Sequence, residues 1–177
     1  MNPAALDSER NALIEEIVEA FKGVSREGGV AWPGTPHGAD TGGNWLQLCQ
    51  DGRWDPNPGV QFATLDPSGF RYYIAPAMIL CLRGNRELDL RNPLFLDRGE
   101  FRRHILNQWA LLDRRQRLAI GRFLRYMDTA ERAEWADEGL DMESPTEWQE
   151  AYESYWKSEC ESESQNGDSS QRQKKSR

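Results

Sequence analysis

Apolar residues recur every three or four positions in several stretches of the chain, which is the spacing of one face of an α-helix. The first stretch runs from Leu13 to Phe21 and carries glutamates on its opposite side. We expect Asp7 or Ser8 to cap this helix, because their side chains can accept from the N–H groups of the first turn. Gly23 is the expected end, since glycine readily adopts the left-handed conformation that follows many helices.

The strongest helix signal is the stretch from Pro67 to Leu82. Asp66 can cap this helix, and proline suits the first helical position because its missing N–H has no partner there. Apolar residues lie on every side of the predicted helix, so we expect it to be the buried central helix of the fold. Pro76 should kink it, since proline cannot donate to the carbonyl of Tyr72.

Further helices are predicted in the second half of the chain. A capping box at Asp113–Gln116 opens a helix whose arginines face outward. Thr129 would cap a separate short acidic helix over 130–138, and a second capping box at Ser144–Glu147 would open a last helix, Pro145–Cys160. The apolar residues of this half expected in or near the core are Leu88, Leu90, Leu94, Phe95, Phe101, Ile105, Trp109, Leu112, Ile120, Phe123, Leu124 and Met127.

Two stretches lack a helical pattern. Residues 23–61 hold nine of the 15 glycines, so we expect a long Gly/Pro-rich loop with a short helix near 44–50. No apolar side chain follows Cys160, so residues 161–177 are predicted to be disordered. The pattern therefore predicts a mostly α-helical protein, with a single domain over 1–160 and a disordered tail.

The charge of the chain is unevenly distributed. Its 177 residues have a formal net charge of −7. Residues 83–127 hold 11 arginines and 5 acidic side chains, a net charge of +6, whereas residues 128–160 hold 11 acidic and 2 basic side chains, a net charge of −9. The simplest interpretation is that these blocks pack against each other or are solvated helix faces.

The sequence gives little support for a membrane segment, a metal site or a cofactor. The longest apolar run is far below the roughly 20 residues that cross a bilayer, and the first ten residues lack the apolar core of a signal peptide. The three cysteines are widely spaced, and neither His37 nor His104 has a second ligand at metal-binding spacing. No phosphate-binding loop or nucleophile elbow is present in the sequence. We therefore expect a cytoplasmic protein that binds no metal and no cofactor.

The leading functional hypothesis is a non-enzymatic, protein-binding module of the immunity type, whose acidic surface meets a basic protein partner. One alternative is an enzyme or small-molecule binder with a pocket near Arg71, Tyr72, Tyr73 and His104, although both tyrosines also fit a buried core. A second alternative is phosphate or nucleic-acid contact through the arginine-rich segment 83–127. The acidic net charge of the whole chain argues against nucleic acid.

The last predicted helix carries four aromatic residues that allow two interpretations. They dock this helix on the body of the protein, or they form an exposed partner surface, where Trp and Tyr are over-represented. The four residues are Trp148, Tyr152, Tyr155 and Trp156.

Two blocks of the sequence, at 62–78 and 111–124, resemble a family of small, mostly bacterial proteins that has no assigned activity. The hallmarks of that family are an F-R-Y-Y-x-x-P-A-x-M block and a later Q-x-x-x-I-x-x-F-L block. In this chain the first block spans Phe70 to Met78, with the methionine one position early, and the second spans Gln116 to Leu124. The resemblance implies a small helical domain and no particular reaction.

Overall fold

The structure is a computed structural model that describes residues 3–25, 45–50, 62, 65–85, 88–140 and 143–161. Helices account for most of these residues. In chain order they are α1 (Pro3–Ala20), α2 (Leu46–Gln50), α3 (Pro67–Leu82), α4 (Arg91–Leu94), α5 (Arg102–Gln108), α6 (Arg114–Asp137) and α7 (Glu147–Ala151). A π-helical turn, Tyr152–Trp156, continues α7, and residues 157–161 are again α-helical. We call 147–161 as a whole the C-terminal helix. The predicted mostly α-helical fold class is confirmed.

The central helix has the predicted bounds, Pro67–Leu82, because its cap is encoded locally. The side chain of Asp66 accepts from the backbone N–H of Gly69 at 2.6 Å, and Pro67 takes the first helical position. Twelve of its sixteen residues are buried, which confirms a buried central helix. Pro76 lies within the helix, which continues to Leu82, and the kink stays a prediction.

Helix α3 shares one hydrophobic core with the other helices. Helix α3 packs against α1, α2 and α5, while α6 packs against α1 and the C-terminal helix. The short α2 confirms the helix expected near 44–50, and the indole N–H of Trp45 anchors it by donating to the carbonyl of Phe21 at 3.0 Å. Gly23 has a φ of 77°, in the left-handed conformation expected where the first helix ends. Residues 26–44 and 51–61 of the predicted loop lie outside the described residues.

Gln116 joins three helices. Its side-chain N–H donates to the carbonyl of Ala20 at 3.2 Å, where α1 ends. Its side-chain oxygen accepts from Arg71 of α3 at 3.0 Å and from the backbone N–H of Asp113 at 3.1 Å. The predicted capping box is thereby confirmed, and the same glutamine, only 1% exposed, also holds α1 and α3 to the start of α6.

Two helix boundaries differ from the prediction because their caps are not where the sequence placed them. Helix α1 already starts at Pro3, so Asp7 and Ser8 lie inside it; a proline followed by two alanines forms a favourable first turn. The hydroxyl of Thr129 donates to the carbonyl of Arg125 at 2.9 Å and opens no new helix. Residues 130–137 therefore continue α6, and the predicted separate acidic helix is wrong.

The C-terminal helix begins two residues later than predicted. Its cap is Thr146, whose hydroxyl accepts from the backbone N–H of Gln149 at 3.0 Å and donates to Asp128 of α6 at 2.7 Å. This acceptor comes from another helix, so sequence spacing could not select Thr146 over Ser144. Glu161, the first residue of the predicted tail, still belongs to the helix, and residues 162–177 lie outside the described residues.

Two phenylalanines expected near the core are exposed: Phe95 by 38% and Phe101 by 61%. The backbone N–H of Leu96 donates to the hydroxyl of Ser154 at 2.9 Å, which fixes this segment against the C-terminal helix. In extended backbone, neighbouring side chains point to opposite sides. Leu96 is therefore buried and Phe95 faces outward.

Candidate functional site

The residues predicted to form a small-molecule pocket are held in different environments. Arg71 is half-buried and bound to α6 through Gln116. Tyr72 and Tyr73 are 1% and 2% exposed, with their rings edge to face at 5.0 Å, so they belong to the core. His104 lies exposed on α5. None of the four lines either of the two clefts described below.

The aromatic residues of the C-terminal helix dock it on the protein. Trp156 is fully buried, donates its indole N–H to the carbonyl of Leu94 at 2.7 Å and lies 4.6 Å from the ring of Trp109. Trp148 is also buried, whereas Tyr152 and Tyr155 are half-buried. The two tryptophans therefore do not form an exposed partner surface.

A cleft of about 390 Å³ lies between the end of α3, the segment that follows α3, and the second half of α6. We call it the Glu131 cleft. The buried thiol of Cys81 and the rim of Trp148 contribute to its walls. Its charged lining residues are Arg10, Arg83, Asp89, Arg91, Glu131 and Glu134.

Glu131 is the polar group of this cleft whose bonding is incomplete. Its Oε2 atom is buried and has no hydrogen-bond partner in the part of the chain that the structure describes. Burial raises the pKa of this carboxyl; the charge of Arg91 opposes the shift, and the nearby carboxylates Glu147, Asp128 and Glu134 add to it. A buried carboxylate oxygen without a donor is costly, and a cationic ligand would relieve that cost.

Arg91 cannot supply the missing donor fully, because two other carboxylates bind it. Its Nε lies 2.9 Å from Asp89 and its NH1 lies 2.8 Å from Glu147. The guanidinium carbon is also 5.8 Å from the ring centroid of Trp148. Burial disfavours the charged form of Asp89, but the hydrogen bonds and the charge of Arg91 together outweigh burial and lower the pKa of that carboxyl.

The two remaining arginines of the cleft are also bound. Arg83 donates to the carbonyl of Cys49 at 2.9 Å, and Arg10 pairs with Asp7 at 3.1 Å. The cationic groups are thus engaged by acceptors, whereas Glu131 retains an unbonded oxygen. The buried Oε2 atom of Glu131 is therefore the acceptor of this cleft that an added hydrogen-bond donor would satisfy.

A second cleft, of about 300 Å³, lies between α1 and α6. Its charges are largely matched, since Arg122 bonds Glu16 at 2.7 Å across the two helices. We assign this cleft to packing.

The arginine-rich segment does not form one uniform phosphate-binding surface. Arg117 is half-buried and donates to the carbonyl of Leu112, to the hydroxyl of Tyr155 and to Glu159. Other arginines of the segment are exposed, among them Arg102, Arg103, Arg114 and Arg115.

The cysteines are free thiols. Burial raises the pKa of Cys49 and of Cys81 to about 12, so both are protonated at neutral pH and are poor nucleophiles. Within the described ranges, no group of three His, Cys, Asp or Glu side chains is arranged to hold a metal ion. None of the described helices has the length and apolar character needed to span a bilayer.

Glu131 was not singled out from the sequence, where it was one of 11 acidic residues in 128–160. A signal was present, because Glu131 follows Leu124 by seven residues and Met127 by four. It thus takes the position where the apolar stripe of α6 would continue. A carboxylate on the buried stripe of a helix is partly removed from water, whereas one on the outer face is solvated.

Comparison with known proteins found no matching family model, no matching curated protein and no matching solved structure. The site is therefore interpreted from its own geometry.

Proposed function

We propose that this chain is a non-enzymatic, cytoplasmic binding protein that meets a basic protein partner through its acidic surface. In this proposal the Glu131 cleft receives one arginine or lysine side chain of that partner. The observation that carries it is the buried Oε2 atom of Glu131, which has no donor among the described residues. Immunity proteins that neutralise toxins offer an analogy for such a role.

The surroundings of the cleft support a cationic ligand. Glu134 lines the cleft beside Glu131, and the second half of α6 carries further exposed carboxylates at Asp137 and Glu138. The three arginines that also line the cleft are bound by Asp7, Asp89, Glu147 and the carbonyl of Cys49. The exposed carboxylates favour the approach of a basic partner, and the carboxylate of Glu131 adds a charge-assisted hydrogen bond. The cavity volume is sufficient for the end of one long side chain.

Substitution of Glu131→Gln tests the role of the cleft. We expect it to weaken binding of a fluorescent oligo-arginine peptide by about 10-fold to 100-fold, because a hydrogen bond to a charged group contributes about 1.5–3 kcal/mol. Fluorescence polarisation at low and high salt measures the affinity. The matched control is Glu15→Gln, which removes the same charge from an exposed position on α1.

If Glu131→Gln and Glu15→Gln weaken peptide binding equally, the proposed role of the cleft is contradicted, since the attraction would then depend on net charge alone. The same two variants, used as bait in a lysate, also identify the physiological partner. That protein should be lost with Glu131→Gln, kept with Glu15→Gln, and released from the wild type by salt.

Binding should also depend on pH through Glu131. The neutral carboxyl loses its attraction for a cation, and burial raises the pKa of Glu131 above its ordinary value. Affinity for the peptide should therefore increase as the pH rises through that raised pKa. The Glu131→Gln variant should lack this step, and a step of equal size in the variant would assign the titration to another group.

A further inference from the structure

Apart from the capping carboxylate of Asp113, the charged side chains at both ends of α6 oppose the dipole of the helix. The positive N-terminal end of a helix favours carboxylates, and its negative C-terminal end favours basic groups. Helix α6 has no acidic residue in its first turn and no basic residue in its last turn. It starts with Arg114 and Arg115 and ends with Asp137 and Glu138. This distribution lowers the stability of the isolated helix.

The two charged ends cannot neutralise each other within one molecule. Helix α6 has 24 residues, so its ends are about 36 Å apart. Among the described residues, the side chains of Arg114, Arg115, Asp137 and Glu138 have no ion-pair partner. The carboxylate of Glu159 is already bound, since it pairs with Arg117 at 3.4 Å.

Exposed apolar side chains accompany the charges at both ends. The arginine end of the molecule comprises Leu111, Arg114 and Arg115, at the start of α6. Helix α5, with the exposed Arg102 and Arg103, precedes this end along the chain. The acidic end comprises Asp137, Glu138, Leu140 and Glu143. Leu111 at the arginine end and Leu140 at the acidic end are 49% and 52% exposed.

We propose that the arginine end of one molecule docks on the acidic end of a second copy of this chain. The two ends are complementary in charge, and each offers apolar side chains that the other can cover. Docking would also add carboxylates to that of Asp113 at the N-terminal end of one α6 and place guanidinium groups at the C-terminal end of the other, which offsets the unfavourable dipole contacts of Arg114, Arg115, Asp137 and Glu138.

A second copy fits the arginine end better than a nucleic acid does. The carboxylates of Asp97 and Glu100 lie close to Arg102 and Arg103 in sequence and are partly or fully exposed. They weaken a continuous phosphate-binding surface, whereas a protein surface can place its own groups to suit them.

The two ends differ from each other, so this contact joins molecules head to tail. A head-to-tail contact leaves one arginine end and one acidic end unused on every pair, so association continues unless a ring closes. We therefore expect wild-type protein to form dimers and larger species as its concentration rises. High salt should weaken this association, since the attraction is largely between exposed charges.

Two variants with opposite defects test the proposal. Arg114→Glu with Arg115→Glu removes the arginine end, and Asp137→Lys with Glu138→Lys removes the acidic end. Analytical ultracentrifugation at low salt should show each variant alone as a monomer. Their equimolar mixture should form one heterodimer that does not grow, because only one intact end of each kind remains. Circular dichroism should show that both variants melt at or above the wild-type temperature.

Several results would overturn the proposal. These are a wild type that stays monomeric at low salt, variants that still associate, or a mixture that forms no heterodimer. A monomeric wild type that binds a single-stranded oligonucleotide, and loses it in Arg114→Glu with Arg115→Glu, would assign the arginine end to nucleic acid. The proposal is independent of the Glu131 cleft, because the arginine-end variant leaves that cleft intact and should still bind the oligo-arginine peptide.

Discussion

Helices α3 and α6 contribute to the protein in different ways. In α3, twelve of sixteen residues are buried, and the helix has no Asp, Glu or Lys and a single Arg. In α6, seven of twenty-four residues are buried, and charged side chains occupy its outer surface. Burial in the core determines nearly every residue of α3. Helix α6 needs only one buried stripe, so most of its surface is available for contacts with other molecules.

The residues that stabilise the fold are therefore largely different from those proposed to contact a partner. The residues of α3 contact other parts of the same chain on every side, so substitutions there should be costly. The exposed residues of α6 contribute little to the core, and the charges at its ends even oppose its dipole. These exposed charges are the ones that the two proposals assign to contacts with partners.

The largest expected effect is the loss of a buried ring from α3. Phe70→Ala should lower the free energy of unfolding by about 3–5 kcal/mol, because Phe70 is fully buried and its removal leaves a cavity. Phe101→Ala makes the same chemical change at an exposed position and should stay within about 0.5 kcal/mol of wild type. Urea denaturation measures the free energy of unfolding of both variants. Similar losses in the two variants would contradict the assignment of Phe70 to the core and Phe101 to the surface.

A smaller effect is expected on the buried stripe of α6. A Cβ atom at Gly121 would lie 2.5 Å from Sγ of Cys160, so Gly121→Ala should destabilise the protein by about 1–3 kcal/mol. Cys160→Ala removes the obstructing sulfur, and adding it to Gly121→Ala should restore part of the loss. A double-mutant cycle measures this coupling. Additive effects would show that the two side chains do not collide.

The smallest effect concerns the C-terminal end of α6. Asp137→Lys should raise the free energy of unfolding by about 0.3–1 kcal/mol, since a basic group suits that end of the helix. Glu15→Lys makes the same charge change away from a helix end and serves as the control. Thermal unfolding at low salt and low protein concentration checks this, and a loss of stability in Asp137→Lys alone would show that its carboxylate supports the fold.

Capping residues and helical spacing predicted those parts of the fold that depend on residues adjacent in sequence. The bounds of α3 and the capping box at Asp113 follow from residues adjacent in sequence, and both are confirmed. The start of the C-terminal helix was missed because Asp128 of another helix holds its cap. Propensity alone gave no reason to expect that α6 would run through Thr129.

The candidate site was not predictable in the same way. At regular α-helical spacing, Trp148 and Trp156 of the C-terminal helix would lie about 80° apart around the helix axis. The π-helical turn between them widens the helix, so each residue there turns through less than 100°, and both rings reach the core. The role of Glu131 depends on where its neighbours find their partners, which only the three-dimensional arrangement shows.

The hydrogen bonds of Gln116 determine how the molecule opens. Its amide has one orientation only, because the oxygen faces two donors and the nitrogen faces the carbonyl of Ala20. Separation of α1, α3 or α6 from the others leaves part of this buried amide without a partner. The three helices should therefore exchange their protected amide hydrogens as a single cooperative unit, while α4 and α5, outside this junction, open earlier and independently.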